Sequence, residues 1–411
     1  MLCARAASTR PADDSRHIVV VAPDKFKGTL TSPQAARAME AGVRSVFPNA
    51  DVRLVPLADG GEGTLDVALA AGATEFRSAV RGPLGERTMA RWALVGAGGP
   101  APTAVIESAE ACGLHLLDPG PATATRSHSR GMGELIRIAL DAGAREIIIG
   151  LGGSAMTDGG SGALRELGLR VLDASGTEVP FGGSGLAAAA RVDTSALDAR
   201  LGNVRIRLAV DVDSTLYGPN GAAHIFAPQK GAGPAEVERL DAALRNWAEV
   251  LAATAADGQR SFLCPGSGAA GGFPSGFMAL TAAAVEPGFS LIAELAGLEA
   301  ALEGADLLVV GEGSLDGQSI HGKAPLSAAA LAAERGIPVL AVAGLLDLST
   351  EELAAYGVQS AVGLTEVAPT IVAARAQADR YVGLAVAEGI RRLCSEGLAA
   401  IPTSEEPALA K

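Results

Sequence analysis

The run IVVVA at residues 18–22 is continuous and β-branched, which suits a strand covered on both faces better than one with a wet side. Ser32 and Pro33 then read as an N-cap and a first-turn proline, and Ala35, Met39 and Val43 recur on one helical stripe. VRLVPL at 52–57 supplies the next strand. Strand, helix and strand in this order form the repeating unit of a parallel, doubly wound sheet. The same grammar returns late in the chain: ADLLVV at 305–310, a loop, the alanine-rich PLSAAALAAERG at 325–336, then IPVLAVAG at 337–344.

The middle of the chain differs. Its strands are shorter and its glycine loops denser: GLGGSAMTDGGSG at 150–162, PFGGSG at 180–185 and PGSGAAGG at 265–272. A helix, GELIRIALDAG (133–143), leads into the strand EIIIG, and VRIRLAVDVD (204–213) is a further strand ending in acidic residues. At 411 residues the chain exceeds one ordinary core. The expected architecture is therefore α/β, a Rossmann- or flavodoxin-like parallel-sheet domain on 17–79 and 285–395, interrupted by an inserted second α/β domain on 80–284. A disordered leader (1–16) and a flexible tail (396–411) flank it.

With 48% hydrophobic and 19% charged residues, wholesale disorder is excluded, and with aromatics at 3% the core must be built from Ala, Val, Leu and Ile. The net charge of −13 argues against nucleic acid or an anionic membrane as partner, though a local basic cluster can still receive an anionic substrate. Cys3, Cys112, Cys264 and Cys394 are scattered, so neither a disulfide framework nor a zinc site is expected and a reducing cytoplasm fits best. The first residues lack an apolar signal core, and no apolar run of about 18 residues spans a membrane.

One hexapeptide occurs nearly twice: GEGTLD at 61–66 and GEGSLD at 311–316. Post-strand loops of a parallel sheet open on one edge, so both GEG turns are expected to line one cleft, with Asp59, Gly60, Gly61, Glu62 and Glu312 among its residues. Three phosphate-loop look-alikes compete. GQSIHGKA (317–324) carries Ala324 where a Walker loop needs a hydroxyl, and its strand ends too early, at Val310. GSGAAG (266–271) follows SFLCP rather than a strand. GLGGSA (150–155) follows a strand and precedes a helix, so Gly152, Gly153 and Ser154 are the better candidates for presenting amides to an anion.

Lys25, Lys27, Lys230 and Lys323 sit on Gly/Pro-rich loops and read as an anion clamp, although any one exposed lysine is commonly just solvated. The acidic candidates are Asp59, Glu62, Asp158, Asp211, Asp213, Glu312 and Asp316. Strand periodicity places Asp211 and Asp213 on one face. Carboxylates at a strand's carboxyl end suit Mg²⁺ binding and proton acceptance, while their ordinary role is capping and turn formation. His321 is the one histidine in a loop of this type; His17, His115, His128 and His224 read as core or surface. No HExxH and no Ser-His-Asp order occurs. Carboxylates, lysines and glycine loops together point to a nucleotide-dependent small-molecule kinase, since phosphoryl transfer needs positioning and charge neutralisation above all.

Seven blocks in order carry a closer likeness: VVAPDKFKGTLTS, PLADGGEGTLD, RGMGELI, GLGGSAMTDGGSGAL, AVDVDSTLYGPNGAAHIFAPQKGA, GSGAAGG and LLVVGEGSLDGQSIHGKAP. The chain resembles the bacterial glycerate kinase family, outside the GHMP and Walker groups, over nearly its whole length. The resemblance implies ATP-dependent phosphorylation of D-glycerate with Mg²⁺, and a two-domain architecture with the site between the domains. It implies Lys27 as the safer lysine, Asp213 or Asp316 as the base and as tentative Mg²⁺ ligands, and Asp59, Gly60, Gly61, Glu62, Gly152, Gly153, Ser154, Asp158, Lys230, Glu312, His321 and Lys323 as binding residues. The chain departs from the family pattern at Lys25, Met156-Thr157, Ser214-Thr215 and Ala324, which removes those side chains from the carry-over. The alternatives are a kinase for another small hydroxy acid or sugar acid, and a non-catalytic organic-acid sensor. The 2-hydroxyl is favoured over the 3-hydroxyl, and the oligomeric state stays open, a homodimer included.

Overall fold

The computed structural model describes residues 17–254, 262–317, 319 and 323–397; the expected leader at 1–16 and all but the first two residues of the expected tail lie outside them. The described chain forms two compact units. The first takes the residues up to Pro56 and most of those from Leu298 on, and the second takes Leu57–Gly297.

The first unit is built on β1 (Ile18–Pro23) and β2 (Asp51–Leu54) from the start of the chain, with β11 (Leu307–Leu315), β12 (Val339–Leu346) and β13 (Val358–Gly363) from its end. All its pairings are parallel and the order is β13-β12-β11-β1-β2. Numbered within this sheet, that order is 2-1-3-4-5, the flavodoxin-like arrangement, with its topological switch between β1 and β11. Val19 and Val21 pack with Met39, Val43, Val382 and Val386 on one face, and Val20 and Ala22 are buried as well, so the uninterrupted β-branched run reflects two covered faces. The helix Ser32–Val46 begins one residue earlier than the sequence suggests. Thr31 is the N-cap, closing a capping box with Gln34, whereas the Ser32 hydroxyl donates to Pro23 O at 2.7 Å.

The second unit holds a six-stranded sheet ordered β10-β9-β6-β5-β4-β3. Its strands are β3 (Thr74–Arg81), β4 (Arg87–Val95), β5 (Thr103–Glu107), β6 (Glu146–Gly150), β9 (Arg205–Val210) and β10 (Ala284–Pro287); the short β7 (Arg170–Leu172) and β8 (Arg191–Asp193) pair antiparallel with each other. β10, β9, β6 and β5 run parallel, and β4 and β3 continue the sheet antiparallel. Alternation decides which side each residue covers. Ala104, Ile106, Ile147, Ile149, Ile206 and Leu208 enter the large core, while Val105, Ile148 and Ala209 face a smaller one. That smaller core is closed by Val67 and Ala68 of the helix Thr64–Ala70 and by Leu291 and Ile292 of the helix Gly288–Ala296. The boundaries expected at 79 and 285 therefore lie inside the second unit: the segments on either side of each are bound into this sheet and its covering helices.

The two hexapeptides adopt different structures. The first is a turn, with Gly60 at φ 81° and Gly63 at φ 106° leading into the helix Thr64–Ala70. The second is strand. β11 does not stop at Val310 but runs through Gly311–Leu315, pairing Glu312 with Ala343 and Ser314 with Leu345 of β12. One is a post-strand turn and the other the end of a central strand.

Candidate active site

In the second unit, the GEG turn lies directly on the glycine loop after β6. Leu151 N donates to Gly60 O at 3.2 Å. A Cβ on Gly152 would stand 2.7 Å from the Glu62 nitrogen and 2.7 Å from Gly61 Cα, so only glycine allows the two backbones this approach. The turn is also held from below: Glu107, at the end of β5, accepts at one carboxylate oxygen from Gly63 N (3.0 Å) and Leu65 N (2.6 Å). Asp59 Oδ1 accepts from Gly61 N at 3.1 Å, and Asp211 Oδ1, just past β9, accepts from Gly288 N at 2.7 Å. Asp59, Gly60, Gly61, Gly152 and Asp211 then line one open cavity of about 150 Å³ at the carboxyl ends of β6 and β9.

The electrostatics of this pocket are acidic. Asp211 is exposed as a residue, yet partial withdrawal of its carboxyl from water, reinforced by the charge of Asp59, pushes it up to about 6, against the hydrogen bonds it accepts. Among the described residues neither Asp59 nor Asp211 forms an ion pair with a lysine or arginine. Glu107 is pushed up to about 7, by burial first, with Glu110 and Asp66 adding to it and its two amide donors opposing. A carboxyl whose folded value lies above its unfolded 4.5 contributes stability that is present below about pH 4.5 and lost as pH rises through about 7. Glu107→Gln keeps an acceptor for both amides and removes this titration. Its urea midpoint, relative to the unsubstituted chain, is expected to rise between pH 5 and pH 8. An offset unchanged by pH would show that Glu107 ionises normally.

In the first unit, Lys27 is exposed and lines a second pocket with Phe26, Thr29, Gly313 and Gly344. The close approach here is of the same kind as at Gly152: a Cβ on Gly313 would stand 2.9 Å from Lys27 N, and one on Gly344 would stand 2.5 Å from Gly313 O. Each GEG copy thus carries a glycine on which a neighbouring backbone rests. The repeat serves contact, not a shared conformation.

Comparison with known proteins follows the same blocks. The model of the "Glycerate kinase family" matches residues 19–394. The chain belongs to the glycerate kinase family. It is 41% identical over 343 residues to a Bacillus subtilis protein named glycerate kinase, covering 83% of this chain and 88% of the relative. It is 43% identical over 329 residues to a glycerate 2-kinase of Escherichia coli, covering 80% and 85% respectively. A Salmonella typhimurium crystal structure described as glycerate kinase 2 superposes with a TM-score of 0.81 at 38% identity, covering 93% of this chain and all of that one. As a family member the protein is a phosphotransferase with an alcohol group as acceptor.

Several residues expected in the kinase site make structural contacts within the described chain. Asp158 is fully buried, and its carboxylate accepts from Ser129 N (2.8 Å), Ser129 Oγ (2.9 Å), Gly162 N (3.0 Å) and Gly160 N (3.3 Å). Through Gly160 N and Gly162 N it holds the start of the helix Ser161–Glu166, which stands where the sequence placed a helix after the glycine loop. Lys230 is buried: its ammonium donates to Met156 O at 2.5 Å and lies 3.5 Å from Thr157 Oγ1. Burial pulls it down to about 7, against the nearby charge of Asp158. Ser154 is buried and bridges to Gly113, and Gly153 is exposed at φ 63°.

The remaining expected residues belong to both units. Glu62 is exposed on the first turn, and Glu312 is buried within β11. Asp213 is exposed in the loop after β9; because the strand ends at Val210, strand period does not pair it with Asp211. Asp316 lies at the end of β11, where its Oδ2 accepts from Ser314 Oγ at 3.0 Å. Asp213 belongs to the second unit and Asp316 to the first. Lys323 is half-buried just before the helix Ala324–Glu334, and His321 lies outside the described residues. Sequence reasoning placed Asp211 among the acids but preferred Asp213, and it passed over Glu107. The signal for Asp211 was its position as the first residue after a strand; Glu107, at the end of TAVIE, had the same one.

Proposed function

We propose that the protein transfers the terminal phosphoryl group of ATP to D-glycerate, at the 2-hydroxyl in preference to the 3-hydroxyl, with Mg²⁺. The observation that carries this reading is the acidic cavity of the second unit, where Asp59 and Asp211 face a paired glycine turn and glycine loop. The names of the relatives supply the substrate. Among the described residues there is no cluster of three or more metal-ligating side chains. Magnesium does not require one, since it is commonly held by one or two carboxylates with substrate phosphates and water completing the shell. The donor set of Asp59 and Asp211, in no ion pair with a lysine or arginine among the described residues, fits that habit. There the ion would neutralise charge on the transferred group. Lys27 neutralises an oxyanion, and Asp213 or Asp316 orients the acceptor hydroxyl and takes its proton. We also read the second unit as an insertion into the first.

Initial rates with ATP, Mg²⁺ and a panel of D-glycerate, L-glycerate, glycolate, lactate and tartronate test the substrate. D-Glycerate is expected to be phosphorylated fastest. A faster relative would remove the substrate assignment while leaving the kinase.

A further inference from the structure

The pocket beside Lys27 has an unassigned second cation, Arg375, on the helix Ile371–Ala376. Its location matters. The strand order of the first sheet reverses between β1 and β11, and in open parallel sheets ligands settle in the crevice beyond the carboxyl ends of the strands at such a switch point. Here Phe26 and Lys27 follow β1, Gly313 lies in β11 and Gly344 in β12, so one wall of the pocket comes from the reversal point itself. The floor is apolar, with Phe26 and Ala374 both buried, and no carboxylate lines the cavity. In a chain of net charge −13, Lys27 and Arg375 meet there without an ion pair or side-chain hydrogen bond to any described residue. The volume, about 70 Å³, is small. At roughly 10–15 Å³ per water position it holds about five to seven heavy atoms. That matches a three-carbon acid or one phosphate group.

We propose that this pocket is an oxyanion subsite, in which Arg375 and Lys27 together hold the carboxylate of the acid substrate or the terminal phosphate of the nucleotide. Arg375 is the specificity-determining residue of the pair, because its planar fork matches a two-oxygen anion while an ammonium is a point charge. The glycines at 313 and 344 keep the floor low, since a side chain at either would press on neighbouring backbone. This inference rests on the kinase reading for the identity of the anion, not for the pocket's preference for one.

The test is steady-state kinetics on Arg375→Ala and Arg375→Lys, varying D-glycerate and ATP in turn. Arg375 is exposed, and an unchanged melting temperature confirms that the fold is kept. Arg375→Ala is expected to raise KM for one substrate at least tenfold, with Arg375→Lys recovering part of it. A rise for D-glycerate identifies the carboxylate as occupant, and a rise for ATP identifies the phosphate. KM values for both substrates within twofold of the unsubstituted chain would overturn the proposal. If the unsubstituted chain fails to turn over D-glycerate, the functional reading falls, and thermal shifts with D-glycerate and with inorganic pyrophosphate decide the subsite separately. Stabilisation of the unsubstituted chain but not of Arg375→Ala supports it, and equal shifts for the two overturn it.

Discussion

Asp211→Asn is expected to lower kcat/KM for D-glycerate phosphorylation about 100-fold, the loss of about 3 kcal/mol from the several that a bound cation supplies to a phosphoryl-transfer transition state. The substitution is nearly isosteric, and the amide oxygen still accepts from Gly288 N, so folding should survive. What disappears is one of the two charges facing the cavity. The same argument gives a pH limb. The Asp211 carboxyl is pushed up to about 6, because partial desolvation and Asp59 both disfavour its ionised form although the residue itself is exposed. Without metal, its contribution to stability is present below the usual carboxyl value of 3.8 and is lost as pH rises through about 6. Under the proposed magnesium binding, the ion would take the ionised form and restore stability above that pH. Added Mg²⁺ at pH 8 is therefore expected to raise the melting temperature of the unsubstituted chain and to leave Asp211→Asn nearly unmoved. Equal shifts in both would remove Asp211 from the metal site. Parallel Asp213→Asn and Asp316→Asn variants address the base: near-native turnover in both, with intact folding, would exclude each from that role.

Gly152→Ala is expected to damage the second unit's site with a single added methyl group. The added carbon would meet the Glu62 nitrogen and Gly61 Cα at 2.7 Å and Gly61 C at 3.0 Å, all backbone atoms that cannot rotate away. The GEG turn must move, or the glycine loop must. Overpacking of this kind costs about 1–3 kcal/mol. A displacement near 1 Å in a positioning loop can cost about 100-fold in rate. Gly153→Ala is the comparison. Its nearest neighbour would be Ala109 Cβ at an ordinary 3.5 Å, and only the left-handed backbone at φ 63° resists it, at about 1 kcal/mol. Denaturant midpoints and kcat measured on both variants separate the two costs. If Gly152→Ala is no worse than Gly153→Ala, the contact between turn and loop is not what the site depends on.

Much of the architecture is legible in the sequence because fully buried parallel strands leave continuous apolar runs. IVVVA, EIIIG and LLVV each became a central strand. The division of the chain was less legible, since TEFRSAVR is exposed on much of its length and its place in the second sheet comes from pairing with β4, a non-local fact. The repeated hexapeptide misled for a similar reason. Glycine reports that something approaches closely, not what the backbone does, so one spelling served a turn and a strand. Among the site residues, Asp59, Gly60, Gly61 and Gly152 converge as their positions after strands suggested. Asp158 and Lys230 carried the same chemistry in sequence, but their partners are buried backbone atoms and a serine that only the fold brings near. Arg375 had no signal at all, because an arginine in an alanine-rich helix looks like any solvated charge.

The most direct measurement incubates the purified chain with ATP, Mg²⁺ and D-glycerate and follows the product by ³¹P and ¹H NMR. The account expects a new phosphomonoester whose phosphorus couples to the proton on C2. Coupling to the C3 protons would change the position of transfer, and a D-glycerate spectrum left unaltered while the protein remains folded would contradict the account itself.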